Sequence, residues 1–371
     1  MSQVIYRKYR PQTFAEVVGQ EHVVRTLQNA IVAGRIGHAY LFSGPRGTGK
    51  TTLARILAKA VNCQNSRNAE PCNTCESCQE FSKGAALDLV EIDAASNRGI
   101  DEIRELREGV RFSPAKAKYK VYIIDEAHQL TKEAFNALLK TLEEPPAHAI
   151  FVLATTEVER MPATILSRVQ RFDFKKFSVP QIEQRLTKLA KAEKVKIEPA
   201  ALRLVAANGE GSLRDAESTL EQVIAFSENP VTLEHVEKIL GRVSVEKIKG
   251  FVDHLASKNI PAAVHHLHEL SDAGVNLNEF TKDLIRYLRK VMVLGASPQL
   301  KATFAQTMTD VEAASIERHL SAFNPTQLVR LIDRFIRAEN ELRRAQLPLL
   351  PLELAVVQLL LPAEPQSGRQ S

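Results

Sequence analysis

The segment AYLFSGPRGTGKTTLARILAKA, residues 39–60, runs from a short apolar β-type stretch through a glycine-rich octet into a helix-forming stretch. The octet GPRGTGKT, Gly44–Thr51, satisfies G-x-x-x-x-G-K-[ST] at every fixed position and lies between a predicted strand and a predicted helix. In that setting Gly44, Gly47 and Gly49 turn backbone N–H groups toward phosphate oxygens. Pro45, Arg46 and Thr48 stand between them, and Thr52 continues into the helix. The helix dipole adds positive potential, Lys50 reaches the β- and γ-phosphates, and Thr51 offers its hydroxyl to Mg²⁺. A chance glycine loop can match the pattern, but it has no reason to match the strand-loop-helix context.

Working outward, residues from about Thr26 to Lys175 alternate apolar β-type runs with helical periodicity, which predicts an α/β domain with a mostly parallel sheet. The strand candidates are Ala39–Phe42, Asp88–Asp93, Lys120–Ile124, Ala149–Ala154 and Gln170–Phe174, all short and expected to be buried. KVYIIDEAH puts Asp125 and Glu126 at the exposed end of a buried strand, where a metal and a γ-phosphate would lie. Asp125 is expected to hold Mg²⁺, and Glu126 to polarise an attacking water as general base. A solvated acidic turn would explain the pair alone, but less well beside an intact phosphate loop.

From Val179 onward strands cease. Ser178 with Pro180 reads as a helix start, and Gly241 as a stop after the helix that follows Thr232. Helical periodicity then continues to about Leu361, broken at Pro261, Gly274, Pro298 and Pro325. The expected organisation is an α/β domain over residues 1–177, a small helical lid over 178–241, a helical collar over 242–362 and a flexible tail over 363–371. No repeat of fixed period is visible.

All four cysteines fall in one segment, Cys63, Cys72, Cys75 and Cys78, spaced C-x8-C-x2-C-x2-C. Four clustered thiolates suit tetrahedral Zn²⁺, with Pro71 and Asn73 supplying turns, and an all-cysteine site is coordinatively closed and therefore structural. Four unrelated thiols would not be expected to cluster so tightly.

The 371 residues suit two or three domains at roughly 150 each, and 44% apolar with 25% charged residues is ordinary for a globular chain. Disorder and a small disulfide scaffold are excluded. A net charge of +5 permits nucleic-acid contact without demonstrating it. Leu347–Leu361 is the most apolar stretch, but Pro348, Pro351, Glu353 and Gln358 interrupt it, so it is expected to be a collar helix meeting partner subunits rather than a membrane span. MSQVIYRKYRPQTF has no apolar export core, so a cytoplasmic location is expected.

Together, YRKYRPQTFAEVVGQEHV, HAYLFSGPRGTGKT, the four-cysteine insertion, VYIIDEAHQLTKEAFNALLKTLEEPP, FVLATTE, ILSRVQRFDF and GSLRDAEST resemble, in order, the AAA+ ATPases. Within them they resemble the gamma/tau subunits of bacterial DNA polymerase III clamp loaders. The resemblance covers most of Val4–Gly241, whereas the collar resembles the family only in position and periodicity.

It implies sensor roles near the γ-phosphate for Thr155 and at nucleotide phosphate for Arg214, with Leu213 beside it. Arg168 corresponds to an arginine finger that completes a neighbouring subunit's site and neutralises charge on the transferring phosphoryl group. Tyr9, Arg10, Pro11, Val17 and Val18 are placed around adenine and ribose. The family's Ser-Arg-Cys motif stands here as Ser167, Arg168 and Val169, leaving the finger itself unchanged. Read without the resemblance, Arg214 would pair with Asp215 or Glu217 along its helix.

The resemblance further implies ATP hydrolysis within a hetero-oligomer of self copies and delta- and delta-prime-like subunits, which opens a sliding clamp and places it on primer-template DNA. No sequence-reading DNA motif is present. Asn97, Arg98 and Arg104 are candidates for tracking the phosphate backbone, though Asp101, Glu102 and Glu105 interleave with them. The tail AEPQSGRQS adds no domain of the kind longer relatives use to contact polymerase, so no direct polymerase contact is expected. His265, His266 and His268 form no complete metal set and are expected to be surface or collar residues. A branch-migration motor and a non-catalytic scaffold are the rival readings. The cysteine module and the SRV motif oppose the first; Lys50, Thr51, Asp125 and Glu126 oppose the second.

Overall fold

A computed structural model describes residues 4–97, 99–300 and 310–360. Five strands, β1 (Ala39–Ser43), β2 (Leu89–Asp93), β3 (Lys120–Asp125), β4 (Ala149–Thr155) and β5 (Gln170–Asp173), form one sheet in the order β2-β3-β4-β1-β5. Every neighbouring pair is parallel. The register pairs Ser43 with Thr155 and Ile124 with Leu153, so β1, β3 and β4 finish on the same edge. In a parallel sheet that edge, where strand order reverses, is where a ligand crevice opens.

α1 (Ile5–Lys8) and α2 (Glu21–Val32) precede the sheet, and the strands are connected through α3 (Lys50–Val61), α4 (Glu76–Lys83), α5 (Ile100–Val110), α6 (Lys132–Glu143) and α7 (Ala163–Leu166). Strand alternation sends Tyr40, Phe42, Val121, Ile123 and Val152 to one face, against Phe14, Leu27, Leu53 and Leu57. Leu41, Tyr122, Ile124, Phe151 and Leu153 go to the other, against Ile103, Phe135, Leu138 and Leu142. Tyr122 stacks on Phe151 with centroids 5.2 Å apart. At about 1.5–3 kcal/mol per buried large side chain, these two layers hold the sheet's functional edge rigid. β1 and β4 are buried throughout, as expected, but β2 is only half-buried and β5 mostly exposed. The physical reason is position: they are the two edge strands, so one flank of each lacks a neighbour.

Beyond the sheet come α8 (Val179–Ala192), α9 (Pro199–Asn208), α10 (Leu213–Phe226) and α11 (Leu233–Leu240). The chain packs as two compact units, one comprising residues up to Leu189 with Ala206–Glu221, the other Ala190–Val205 and the residues from Gln222 on. The division falls inside α8, α9 and α10. In the second unit α12 (Val245–Ala256), α13 (Ile260–Asp272), α14 (Leu277–Ala296), α15 (Asp310–Ala322), α16 (Pro325–Leu342) and α17 (Leu350–Leu360) share a core.

On α14, Leu277, Phe280, Leu284, Leu288 and Val291 recur at helical spacing, and Phe251 sits edge-on to Phe280 at 5.3 Å. Pro261 and Pro325 lie in first turns, where a missing N–H costs nothing, and Asn324 with Gln327 closes a capping box. Thr232 caps α11 and Gly241 ends it in the left-handed region. The apolar C-terminal stretch becomes helical only at Leu350, two residues after Pro348. Leu361 and the proposed tail lie outside the described residues.

Candidate nucleotide-binding site

The octet turns sharply off β1. Gly44, Gly47 and Gly49 have φ of +144°, +74° and +97°. A Cβ on Gly44 would strike the Phe174 carbonyl, and one on Gly47 would strike the Ser212 hydroxyl, so only glycine fits these two places. Thr48 Oγ1 donates to the Pro45 carbonyl at 2.8 Å, tightening the loop. Lys50 opens α3, is only 6% exposed, and donates from Nζ to the carbonyls of Gly44 (2.7 Å) and Pro45 (2.9 Å). Burial pushes its ammonium pKa down, while Glu126 and Asp125 pull it back up.

Thr51 Oγ1 donates to Asp125 Oδ2 at 2.6 Å, so the hydroxyl and carboxylate expected to share Mg²⁺ converge without rearrangement of the backbone. Their hard oxygen donors suit that ion. Asp125 Oδ1 accepts from the Glu126 N–H at 3.0 Å. Glu126 itself has φ +48°, a left-handed conformation that turns its side chain off the strand end. Its Oε2 accepts from Thr156 Oγ1 at 3.0 Å. Thr155 does not line the cavity: it is fully buried behind it, with Oγ1 2.9 Å from His128 Nδ1 and accepting from Glu157 N–H at 3.0 Å. His128 Nε2 lies 3.1 Å from Glu157 Oε1. Thr156 with Glu126, and Thr155 with His128 and Glu157, thus link the ends of β3 and β4, with Thr155 and His128 buried and the carboxylates partly exposed.

The cavity over the octet is lined by Arg46, Gly47, Thr48, Gly49, Lys50, Thr51, Thr52, Asp125 and Glu126, and by Arg10, Pro11, Val17 and Val18, with Leu213 and Arg214 from α10. Leu213 N–H donates to the Gly47 carbonyl at 3.2 Å, bringing the start of α10 against the loop. Arg214 lies 5.0 Å over the Tyr6 ring, and its helix neighbour Glu217 is instead taken by Arg185 at 3.0 Å. Hydrogen bonds from Arg7 and Arg214 pull the Tyr6 phenol pKa down. Tyr9 is off the cavity lining: its carbonyl accepts from Arg185 Nη2 at 2.5 Å, and the aromatic ring in the wall is Tyr6. Tyr6, Glu16, Phe177, Arg185 and Glu217 complete the lining and were absent from the sequence-derived set. Tyr6 and Glu16 lie within the YRKYRPQTFAEVVGQEHV run and Glu217 within GSLRDAEST, whereas Arg185 sits in a helix where any basic residue reads as solvated.

Arg168 is not in the cavity. Its Nη2 donates to Glu143 Oε1 at 2.6 Å, and Nη1 to the Thr164 carbonyl (2.7 Å) and Ser167 Oγ (3.0 Å). Asn97 donates from Nδ2 to the Asp93 carbonyl at 3.1 Å at the end of β2, and Arg104 is exposed on α5. Arg98 lies outside the described residues.

The sulfurs of Cys63, Cys72, Cys75 and Cys78 lie within 4.8 Å of one another, with Cys72 and Cys78 4.0 Å apart. Zn–S bonds of about 2.3 Å in a tetrahedron imply sulfurs about 3.8 Å apart, so the quartet fits the ion. Backbone N–H groups of Cys72 and Cys75 donate to the sulfurs of Cys63 and Cys72, both at 3.3 Å, as expected of a knuckle prepared for thiolates. Asn73 takes the turn with φ +58°. Hydrogen bonding from Thr74 and the Cys75 N–H brings the Cys72 thiol down to about 5, while burial pushes those of Cys78 and Cys63 up. Among the described residues no other group of three or more His, Cys, Asp or Glu could share a metal ion. His268 pairs with Glu353 at 2.8 Å and His265 with Glu269 at 3.4 Å.

A parallel sheet with a phosphate loop after β1, acidic residues after β3, a helical lid and a helical C-terminal region defines a P-loop protein of the AAA+ kind. The chain belongs to the gamma/tau subunit family of DNA polymerase III. It is 44% identical to DNA polymerase III subunit tau of Bacillus subtilis over 358 residues, covering 96% of this chain and 63% of that one. It is 39% identical to subunit tau of Escherichia coli over 376 residues, covering 100% and 58%. Subunit gamma of Buchnera aphidicola is 35% identical over 358 residues, covering 96% and 98%.

The chain therefore spans about three-fifths of the tau relatives' length (63% and 58%) and nearly all of the gamma relative's (98%). Family profiles described as DNA polymerase III delta subunit, as clamp loader subunit ATPase lid domain, and as subunits gamma and tau domain III match residues 19–178, 181–229 and 231–369.

Proposed function

We propose that the chain is an ATP-hydrolysing subunit of a replicative clamp loader, working in the cytoplasm with copies of itself and with delta- and delta-prime-like subunits. It would use ATP to open a sliding clamp and place it on primer-template DNA. The observation that carries this reading is the convergence of Lys50, Thr51, Asp125 and Glu126 on one cavity that Tyr6, Pro11, Val17, Val18, Phe177 and Leu213 also line, beside Arg10 and Arg214, a mix of charged and apolar groups suited to a nucleotide. We assign residues 1–177 to the ATPase domain, 178–241 to the lid and 242–362 to the collar.

In the proposed reaction Lys50 and the octet's N–H groups hold the phosphates, and Thr51 with Asp125 holds Mg²⁺. When bound, the ion would neutralise phosphate charge. Glu126 accepts a proton from the attacking water, its carboxylate being held through Oε2 by Thr156. Thr155 anchors the strand end through His128. Arg214 contacts phosphate and couples lid position to nucleotide. Arg168 leaves Glu143 and completes the neighbouring subunit's site in trans.

Leu347, Leu350 and Leu354, respectively 66%, 43% and 41% exposed, form an apolar patch suited to subunit association in the collar. Among the described residues no helix is long and apolar enough to cross a membrane. DNA contact is assigned to the region of Asn97, Arg98 and Arg104, through phosphates and without sequence reading, so binding should weaken steeply with salt.

The test is ATPase turnover with loader companions, with and without sliding clamp and primed DNA, beside Glu126→Gln. Stimulation requiring both clamp and a primed junction supports the reading. Stimulation by any duplex points to a translocating motor, and none to a scaffold. Mixing Lys50→Ala with Arg168→Ala subunits should restore some sites; complete failure removes the trans role of Arg168.

A further inference from the structure

We infer that the cysteine module positions the base-side wall of the nucleotide cavity, acting through Glu70 and Lys59. This rests on the nucleotide reading above. The wall is the N-terminal arm, from which Arg10, Pro11, Val17 and Val18 face the cavity. Between them the arm turns two groups the other way, toward the module. Phe14 N–H donates to Glu70 Oε2 at 2.9 Å, and Glu70 Oε1 accepts from Gln28 Nε2 at 3.0 Å, so one carboxylate ties the arm to α2.

Lys59, on the helix that follows the phosphate loop, is 3% exposed. It donates from Nζ to Asn73 Oδ1 (2.6 Å), Gln12 Oε1 (2.9 Å) and Ser82 Oγ (3.3 Å). Among the described residues, every tertiary hydrogen bond made by the stretch from Gln12 to Val18 runs to Glu70, Lys59 or Ser82.

Glu70 and Asn73 both lie in the loop between Cys63 and Cys75, and Asn73 occupies a left-handed turn between two cysteines. Their positions therefore depend on the four sulfurs being held together. A closed cysteine site has no open coordination position for chemistry, but it fixes a loop that has little apolar core of its own. The module is thus a brace: with the sulfurs clamped, Glu70 and Asn73 hold the arm at the width of a base. With them released, the phosphate loop is intact but the wall facing the base is loose.

Loss of the brace should therefore weaken the base-dependent part of binding and spare the phosphate-dependent part. Titration calorimetry on the full chain with ADP and, separately, inorganic tripolyphosphate measures the two parts. Glu70→Ala should raise the Kd for ADP about five- to tenfold, the scale of one or two lost charge-assisted hydrogen bonds, while leaving tripolyphosphate within about twofold. Glu70→Gln, which keeps an oxygen for the Phe14 N–H, should fall between. Gln12→Ala cuts the Lys59 link from the arm side and should act in the same direction, as should stripping metal with a chelator. Equal weakening of both ligands, or unchanged ADP affinity in Glu70→Ala and Gln12→Ala, overturns the inference. If the unmodified chain binds neither ligand, the nucleotide reading itself fails.

Discussion

Replacing Glu143 with alanine should speed ATP hydrolysis by the assembled complex, although Glu143 lies outside the nucleotide cavity. The Arg168 guanidinium is committed to its own chain, at 2.6 Å from Glu143 and 2.7 Å from the Thr164 carbonyl. A finger acting in trans must leave the carboxylate each time an interface closes. The side chains of Arg168 and Glu143 are 33% and 47% exposed, so water competes for both and the pair contributes about 0.2–1 kcal/mol rather than the several expected of a buried pair.

Removing the pair lowers the cost of docking by that amount, which converts to a rate increase of about 1.4- to fivefold where docking limits turnover. Folding stability should fall by less than about 1 kcal/mol. The assay is steady-state turnover at saturating ATP with companions, clamp and primed DNA, at two salt concentrations. Higher salt slows both complexes through weaker DNA binding but should narrow the gap between them, because screening weakens the pair only in the unmodified complex. Arg168→Ala, and the double variant, should both be slow. A Glu143→Ala complex that turns over at or below the unmodified rate, with its melting temperature intact, would show that the pair does not restrain the finger.

Glu126→Gln should bind nucleotide normally yet hydrolyse it about 10²- to 10⁴-fold more slowly, since the amide cannot take a proton; rapid-quench turnover beside calorimetric binding separates the two. Cys72→Ser should lose bound zinc by elemental analysis and melt several degrees lower, because the loop from Cys63 to Cys78 then has no closure; retained zinc would refute a four-sulfur site.

Asp88 is 4% exposed and accepts N–H groups of Ala115 (2.8 Å), Lys116 (2.9 Å) and Ala117 (2.9 Å). Burial alone would raise its pKa, but these N–H groups outweigh burial and leave it below the usual carboxylate range. The unfolded chain therefore binds this proton more readily, so the stabilisation is present above about pH 4 and lost as pH falls through the folded value. Asp88→Asn should cost about 2 kcal/mol at pH 7, and the calorimetric gap from the unmodified chain should narrow toward pH 3.5. A gap that stays constant with pH would remove the charge from the explanation.

Much of the site was legible because its chemistry is local. The octet carries its own turn, donors and helix start within Gly44–Thr51, and the four cysteines carry metal-ligand spacing in the sequence alone. Alternation and periodicity marked all five strands and the helical C-terminal region, since burial on one face writes a period into the chain. What escaped depends on contacts between distant residues. Arg185 reads as a solvated helix arginine until Glu217, 32 positions away, and the carbonyl of Tyr9, 176 away, meet it. The pull of Thr156 on Glu126 spans 30 positions and exists only because β3 and β4 are neighbours. The tie from Glu70 to Phe14 spans 56, through a loop whose pattern indicates sulfur and nothing about the arm.

By itself, then, the chain's sequence determined the elements whose physics is short-range: the phosphate loop, the acidic strand end, the cysteine quartet, the strands and the helices. Only the tertiary structure decided the strand order β2-β3-β4-β1-β5, which strands became half-exposed edges, that Tyr6 rather than Tyr9 lines the cavity, and that Arg168 rests on Glu143. The reason is physical. Periodicity records which side of an element is buried, whereas the identity of its neighbour is set by packing that leaves no regular mark on either segment.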